Sequence, residues 1–151
     1  LDISGHTKVH LAFYHFADKV LFCSDCIFSA GCGRIFDGDA LSFYHSITKI
    51  SLLADDAILC PAHEYTLSNL QFALAVEPNN QESKDYQQHC LLLRQQQLPT
   101  LPTLLGKEKL FNPFLRCHLL VKEISDLTHE NCQTGAQGFA ALRRYKNNWV
   151  A

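Results

Sequence analysis

Before Tyr65, apolar positions come in short runs broken by turn residues; after it they recur at helical spacing. Leu1 to Ile3 reads as the end of a strand leading into a turn at Ser4-Gly5. The aromatic run His10–Phe16 (HLAFYHF) predicts a strand, Asp18-Lys19 a turn, and Val20–Cys23 the paired return strand. Ser24 to Asp39, with Gly31, Gly33 and Gly38, is too glycine-rich for regular structure and predicts a long functional loop. Asp39 can cap a helix with Phe43, Ile47, Ile50 and Ala54 along one face, and Asp55-Asp56 ends it. Ala57–Cys60 then reads as a buried strand that delivers His63.

Thr66 caps a second predicted helix, with Leu67, Leu70 and Leu74 inward, stopped by Pro78. Asn79-Asn80 reads as a turn, and Lys84–Gln97 as a third helix packed through Tyr86, Cys90 and Leu93. Pro99 and Pro102 bracket an extended link, LPTLPT, before a short helix over Leu104–Leu110 and a turn at Asn112-Pro113. A last helix covers Gly135–Asn148, with Phe139, Leu142 and Trp149 packing. The expected division is a mixed α/β region, residues 1–64, and an all-helical region, residues 65–151.

Composition narrows the function classes. Hydrophobic content of 47% and charged content of 19% predict an ordinary soluble globular fold, not a disordered chain. A net charge of -2 gives no case for nucleic acid or membrane binding; the basic cluster at 143–146 is too small to supply one. No apolar run approaches the roughly 20 residues that cross a bilayer, and no signal peptide opens the chain. Seven cysteines, an odd number, predict free buried thiols and a reducing, cytoplasmic setting. A zinc site starting at Cys23-X-X-Cys26 would need a second close pair, which Cys32 and Cys60 do not make. The absence of methionine and the opening Leu-Asp-Ile-Ser suggest a piece of a longer protein.

The chemistry is concentrated in CPAHEYT, Cys60–Thr66, which sets a histidine, a carboxylate and a tyrosine side by side where the two regions meet. His6, in Gly-His-Thr, and Asp25, in CSDC, likewise follow strand-like runs at the start of loops. Two imidazoles and one carboxylate suit zinc, manganese or iron, and the three side chains are expected to converge. A lone histidine in such a place is most often structural, so the weight falls on the combination.

That combination has a family signature. SGHTKVHLAFY, LFCSDCIFSAGCGRIFDGD, CPAHEYTLSNLQFALAVEPNN, LPTLPTLLGKEKLFNPFLR and ALRRYK follow one another in the order seen in glyoxalase II, the hydroxyacylglutathione hydrolases of the metallo-β-lactamase superfamily, which the whole chain closely resembles. The resemblance implies an α+β fold: the second half of an αββα sandwich followed by an all-helical C-terminal domain. It implies hydrolysis of the thioester S-D-lactoylglutathione to D-lactate and glutathione by a hydroxide bridging two divalent metals, zinc foremost, iron or manganese otherwise. His6 matches a ligand of the first metal and His63 one of the second. Asp25 matches the bridging aspartate, a role that a carboxylate's two oxygens can fill. Arg34, Tyr65, Arg143 and Lys146 match glutathione contacts. Phe36 stands where relatives carry tyrosine, and Arg144 is expected in solvent. As the enzyme's partners the resemblance implies the glutathione thioester substrate, neither nucleic acid nor membrane, and a monomer at full length.

The departures are local. Ser24 and Cys26 flank Asp25 where the family reads Gly-Asp-Thr, and Pro61-Ala62 precede His63 where it reads Cys-Gly. The added Cβ atoms call for backbone adjustment beside two ligands. Val9 replaces another glycine, while His10 remains to support His6. The Thr-His-X-His-X-Asp-His segment that supplies the other ligands upstream is not in these residues. The chain alone is therefore expected to be inactive, and the alternative reading is a non-catalytic fragment that binds glutathione or a partner.

Overall fold

The computed structural model describes residues 1–149; Val150 and Ala151, the end of the expected helical region, lie outside the described residues. Four strands form one sheet in the order β1 (Phe13–His15), β2 (Val20–Ser24), β5 (Ile58–Pro61), β6 (Thr103–Leu104). The outer pairings are antiparallel, and β2 lies parallel to β5 with α1 (Ala40–Ser51) as the crossover. A separate hairpin joins β3 (Ile27–Phe28) to β4 (Gly31–Cys32). Helices α2 (Thr66–Val76), α3 (Gln81–Gln95), α4 (Leu105–Phe111), α5 (Val121–Thr128) and α6 (Gly135–Asn148) make up the rest. None is long and apolar enough to cross a membrane.

Several expectations shift. The aromatic run shortens to Phe13–His15, with Leu11 held by a lone bridge to Asp2. The region taken for an irregular loop holds the β3–β4 hairpin, whose two-residue strands are too short for any local pattern to announce. The region after Tyr65 is helical except for β6, which crosses back to pair with β5. Helix α5 is an addition, with Ile124 buried.

Helix α1 starts as the capping rule requires, with Asp39 accepting from the Ser42 N–H at 2.8 Å. Phe43, Ile47 and Ile50 are buried, but the helix stops at Ser51 and Ala54 is exposed beyond it. In α2 the buried set is Thr66, Asn69, Leu70, Phe72, Ala73 and Val76, while Leu67 and Leu74 are only partly covered. The helix packs against α3, β4 and α5, so no single stripe describes it. Thr66 is its first residue and not its cap; its hydroxyl donates to Thr100 Oγ1 at 2.7 Å. Helix α3 begins earlier than expected because Asn80 caps it, accepting from the Ser83 N–H at 3.1 Å.

One buried cluster runs from Leu21, Phe43, Ile50 and Leu59 to Phe72, Phe114, Phe139 and Leu142, so the core is continuous across residue 65. All seven cysteines are free, and burial pushes the Cys23 thiol up to about 12. The β1–β2 ribbon is different. Its cross-strand pair Phe13 and Phe22 is 70% and 55% exposed, beside an exposed Phe16.

Candidate metal and substrate site

The hairpin places the central carboxylate. Asp25 stands at its entry, and Gly33 and Arg34 at its exit, where the Gly33 N–H donates to the Cys26 carbonyl at 3.4 Å. A Cβ on Gly33 would lie 2.0 Å from the Asp25 carbonyl oxygen and 3.0 Å from His6 Nδ1. Only glycine fits that approach, which brings the first loop against the hairpin base.

Asp25 meets both histidines, each with a different oxygen. Oδ2 lies 3.9 Å from His6 Nε2 and Oδ1 lies 3.3 Å from His63 Nε2. His6 Nδ1 donates to the Arg34 carbonyl at 2.6 Å, since a carbonyl can only accept. That bond leaves the Nε2 lone pair free and turned toward Asp25. The expected convergence on one point does not occur. Among the described residues no group of three or more such side chains could hold one metal ion. Instead two His–Asp pairs share Asp25, because the first loop and the end of β5 approach it separately.

Arg34, Phe36, Tyr65, Arg143 and Lys146, expected to contact substrate, all line the same cleft, of about 650 Å³. Tyr65 stacks on His63 with ring centres 5.1 Å apart, and Phe28 meets Tyr65 edge-on at 5.3 Å. Phe36, 73% exposed, stands edge-on to His6 at 5.0 Å. Arg34 is exposed, and no partner for its guanidinium is found among the described residues. Lys146 donates to Asn69 Oδ1 and lies over the Phe72 ring at 4.9 Å. Burial pulls its pKa down to about 7, with the Arg143 charge a smaller contribution in the same direction.

Arg143 differs from the rest. It is 3% exposed and donates to the carbonyls of Cys32 at 3.0 Å and Gly33 at 3.2 Å. Its guanidinium braces the hairpin exit, and only its edge forms cleft wall. Arg144, on the outer face, pairs with Glu130 as an exposed residue should.

Residues 64–149 match the family described as hydroxyacylglutathione hydrolase C-terminus. The chain belongs to the hydroxyacylglutathione hydrolase family. It is 47% identical over 150 residues to the hydroxyacylglutathione hydrolase of Aliivibrio salmonicida, covering 99% of this chain and 58% of that protein. It is 48% identical over 148 residues to that of Pectobacterium carotovorum, covering 97% and 58%. The corresponding protein of Shewanella pealeana is 43% identical over 151 residues, covering 99% and 57%. The chain thus spans somewhat over half the length of these relatives.

Within this hydroxyacylglutathione hydrolase region, the departures beside Asp25 and His63 have visible consequences. Ser24 adopts φ +47°, left-handed backbone that glycine takes freely and serine at a cost. It also marks a register shift between β2 and β5, which re-aims the chain into Asp25. Ala62 is not in left-handed backbone, and its N–H donates to the Ser24 carbonyl at 3.2 Å. His10 lies 5.3 Å from His6, ring to ring, and its Nδ1 is buried without a partner. Burial lowers its pKa, and the His6 charge contributes in the same direction.

Sequence reasoning missed the polar clamp on the hairpin. Asn69 Nδ2 donates to the Ser29 carbonyl at 3.0 Å, and Asn112 Nδ2 to those of Phe28 and Gly31 at 3.1 Å each. Glu108 accepts from the Ser29 hydroxyl and the Ala30 N–H, both at 2.7 Å. The available signal was Glu108 and Asn112 at i, i+4, a polar pair on one face of a short helix. Glu64, in the most conspicuous stretch, turns away from the cleft and accepts from Thr100 N–H and Oγ1 at 3.0 Å.

Proposed function

We propose that this chain supplies part of a metal-dependent thioester hydrolase site acting on S-D-lactoylglutathione. The observation that carries the reading is Asp25 presenting one carboxylate oxygen to each of two histidines. The donor set fits two divalent cations: nitrogen from His6, nitrogen from His63 and one Asp25 oxygen toward each, a mixture suited to zinc, iron or manganese. Bound there, such cations supply Lewis acidity toward a carbonyl and lower the pKa of water.

The chain's own residues do the rest. The Arg34 carbonyl holds His6 in the tautomer that leaves Nε2 free. Asp25 adds negative charge between the imidazoles, which retains cations and repels a free carboxylate. Lys146, Tyr65 and the exposed Arg34 offer two cations and a hydroxyl around the cleft, suited to the carboxylates and amides of a glutathione tail. Phe28 and Phe36 line the cleft with apolar rings, Phe28 edge-on to Tyr65 and Phe36 edge-on to His6. Arg143 keeps the hairpin exit in place and contributes to binding through that wall.

On this reading the site is completed by residues outside this chain, which spans somewhat over half the length of the relatives it matches. The chain alone, purified and loaded with zinc, is expected to hold the metal loosely and to leave the thioester intact. Adding the remaining portion of the Aliivibrio salmonicida relative should restore tight metal and turnover. Stoichiometric zinc with turnover from the chain alone would overturn the shared site. Tight metal after complementation, without thioester hydrolysis, would leave a non-catalytic binding fragment as the better reading.

A further inference from the structure

A buried carboxylate ties together the two strand systems that carry the cleft's ligands. Glu108, in α4, has no exposed surface. Its Oε1 accepts from the hydroxyls of Ser29 at 2.7 Å and Thr103 at 2.9 Å. Its Oε2 accepts from the Ala30 N–H at 2.7 Å and lies 3.1 Å from Asn112 Nδ2, whose two protons are shared with the Phe28 and Gly31 carbonyls. Ser29 and Ala30 form the tip of the β3–β4 hairpin, while Thr103 belongs to β6, the neighbour of β5. A carboxylate without exposed surface is costly, and a nonpolar residue would fill the space more cheaply. A full set of donors, two of them from segments far apart in sequence, points to a task beyond filling.

Both segments lead to the site. Down the hairpin from Ser29-Ala30, the base carries Asp25 on one side and, on the other, the Arg34 carbonyl that accepts from His6 Nδ1 at 2.6 Å. Asn112, itself bonded to Glu108, grips the hairpin sides through Phe28 and Gly31. Across the sheet, Thr103 pairs with Leu59 in β5, and that strand ends at Pro61, just before His63. A shift of the hairpin relative to β6 would therefore move Asp25 and His6 relative to His63.

We infer that Glu108 is a positioning residue: its carboxylate locks the hairpin tip to β6 and thereby sets Asp25 and His6 against His63. This rests on reading those three residues as one site, and it acts through the hairpin, not by touching substrate.

The test reads His6 itself. Imidazole ¹⁵N spectra of the metal-free chain report whether Nδ1–H is held by the Arg34 carbonyl, as one tautomer with slow exchange. Glu108→Gln keeps the shape but removes the charge and sets an NH₂ against the Ser29 and Thr103 hydroxyls, which must both turn round to accept, and Ser29→Ala removes a single bond to Oε1. Exchange of the His6 Nδ1 proton should be about fivefold faster in Ser29→Ala, the equivalent of one lost hydrogen bond, and about tenfold or more in Glu108→Gln. The urea midpoint of Ser29→Ala should stay close to that of the parent. If Glu108→Gln does not fold, Ser29→Ala carries the test. His6 exchange unchanged in both variants, or rising only in proportion to global unfolding, would reduce Glu108 to a structural group. Zinc added to the parent chain is a separate arm. Failure to move the His6 and His63 signals counts against the metal reading and leaves the His6 exchange result to decide the role of Glu108.

Discussion

Two hairpin-like pieces of this chain, both short and both carrying large apolar side chains, meet opposite fates. The β1–β2 ribbon leaves Phe13, Phe16 and Phe22 exposed, whereas in the β3–β4 hairpin Ile27 is 0% and Phe28 5% exposed. Apolar content does not separate them; the supply of partners does. The hairpin is covered by α2, α4 and α6, and its backbone is met by Asn69, Glu108, Asn112 and Arg143. Backbone groups need such partners once water is excluded, so a two-residue strand survives where side chains complete it. The ribbon has hydrogen-bonded neighbours but no cover on one face.

The contrast can be broken most strongly at the hairpin. Ile27→Ala should cost about 2–5 kcal/mol in urea unfolding, as deletion of a fully buried side chain does. Asn112→Ala should cost about 1–3 kcal/mol, because the carbonyls of Phe28 and Gly31 would lose their buried donor. A loss below about 0.5 kcal/mol in both would show that the hairpin is no better anchored than the ribbon.

The clamp also makes stability depend on pH. Burial raises the Glu108 carboxyl from 4.5 to about 7 against its hydrogen bonds, and lowers Lys146 from 10.5 to about 7. Between 4.5 and 7 the folded state binds the extra proton at Glu108, so stability falls as pH rises, by at most about 1.4 kcal/mol per pH unit for one proton. Between 7 and 10.5 the unfolded state binds the extra proton at Lys146, so stability rises with pH. Urea midpoints across pH 4–10 should therefore pass through a minimum near 7, and Lys146→Gln should flatten the alkaline side alone. A midpoint that rises steadily from pH 4.5 to 7 would contradict the assignment to Glu108.

Smaller effects belong to the junction and the ribbon. Ser24→Gly, between the two pieces, relieves left-handed backbone and should stabilise the fold by about 0.5–1 kcal/mol after the added freedom of glycine in the unfolded chain. Loss of stability on that change would mean the serine side chain compensates for its backbone. Phe13→Ser together with Phe22→Ser should alter the stability of the chain by less than about 0.5 kcal/mol, while lowering its binding of a hydrophobic dye. A loss as large as that of Ile27→Ala would show that the ribbon face is covered in solution.

What could be read from the residues alone was local. Asp39 announces α1 and the span of α6 is legible end to end, because capping and a 3.6-residue period operate within a few turns. His6, Asp25 and His63 could be named as candidates too, since the signature surrounds each one. Their arrangement as two pairs sharing Asp25 was not, for it depends on where the first loop and the end of β5 come to rest. The same holds for β3, β4 and β6, strands of two residues each, which exist only through pairing or clamping by distant segments. Arg143 shows the limit most plainly: on a helical wheel it is one more basic residue beside Lys146. Packing alone turns it inward onto the Cys32 and Gly33 carbonyls, 111 and 110 residues away along the chain. A side chain's chemistry is written in the sequence, but which of its groups are already spent is decided by neighbours that only folding brings within reach.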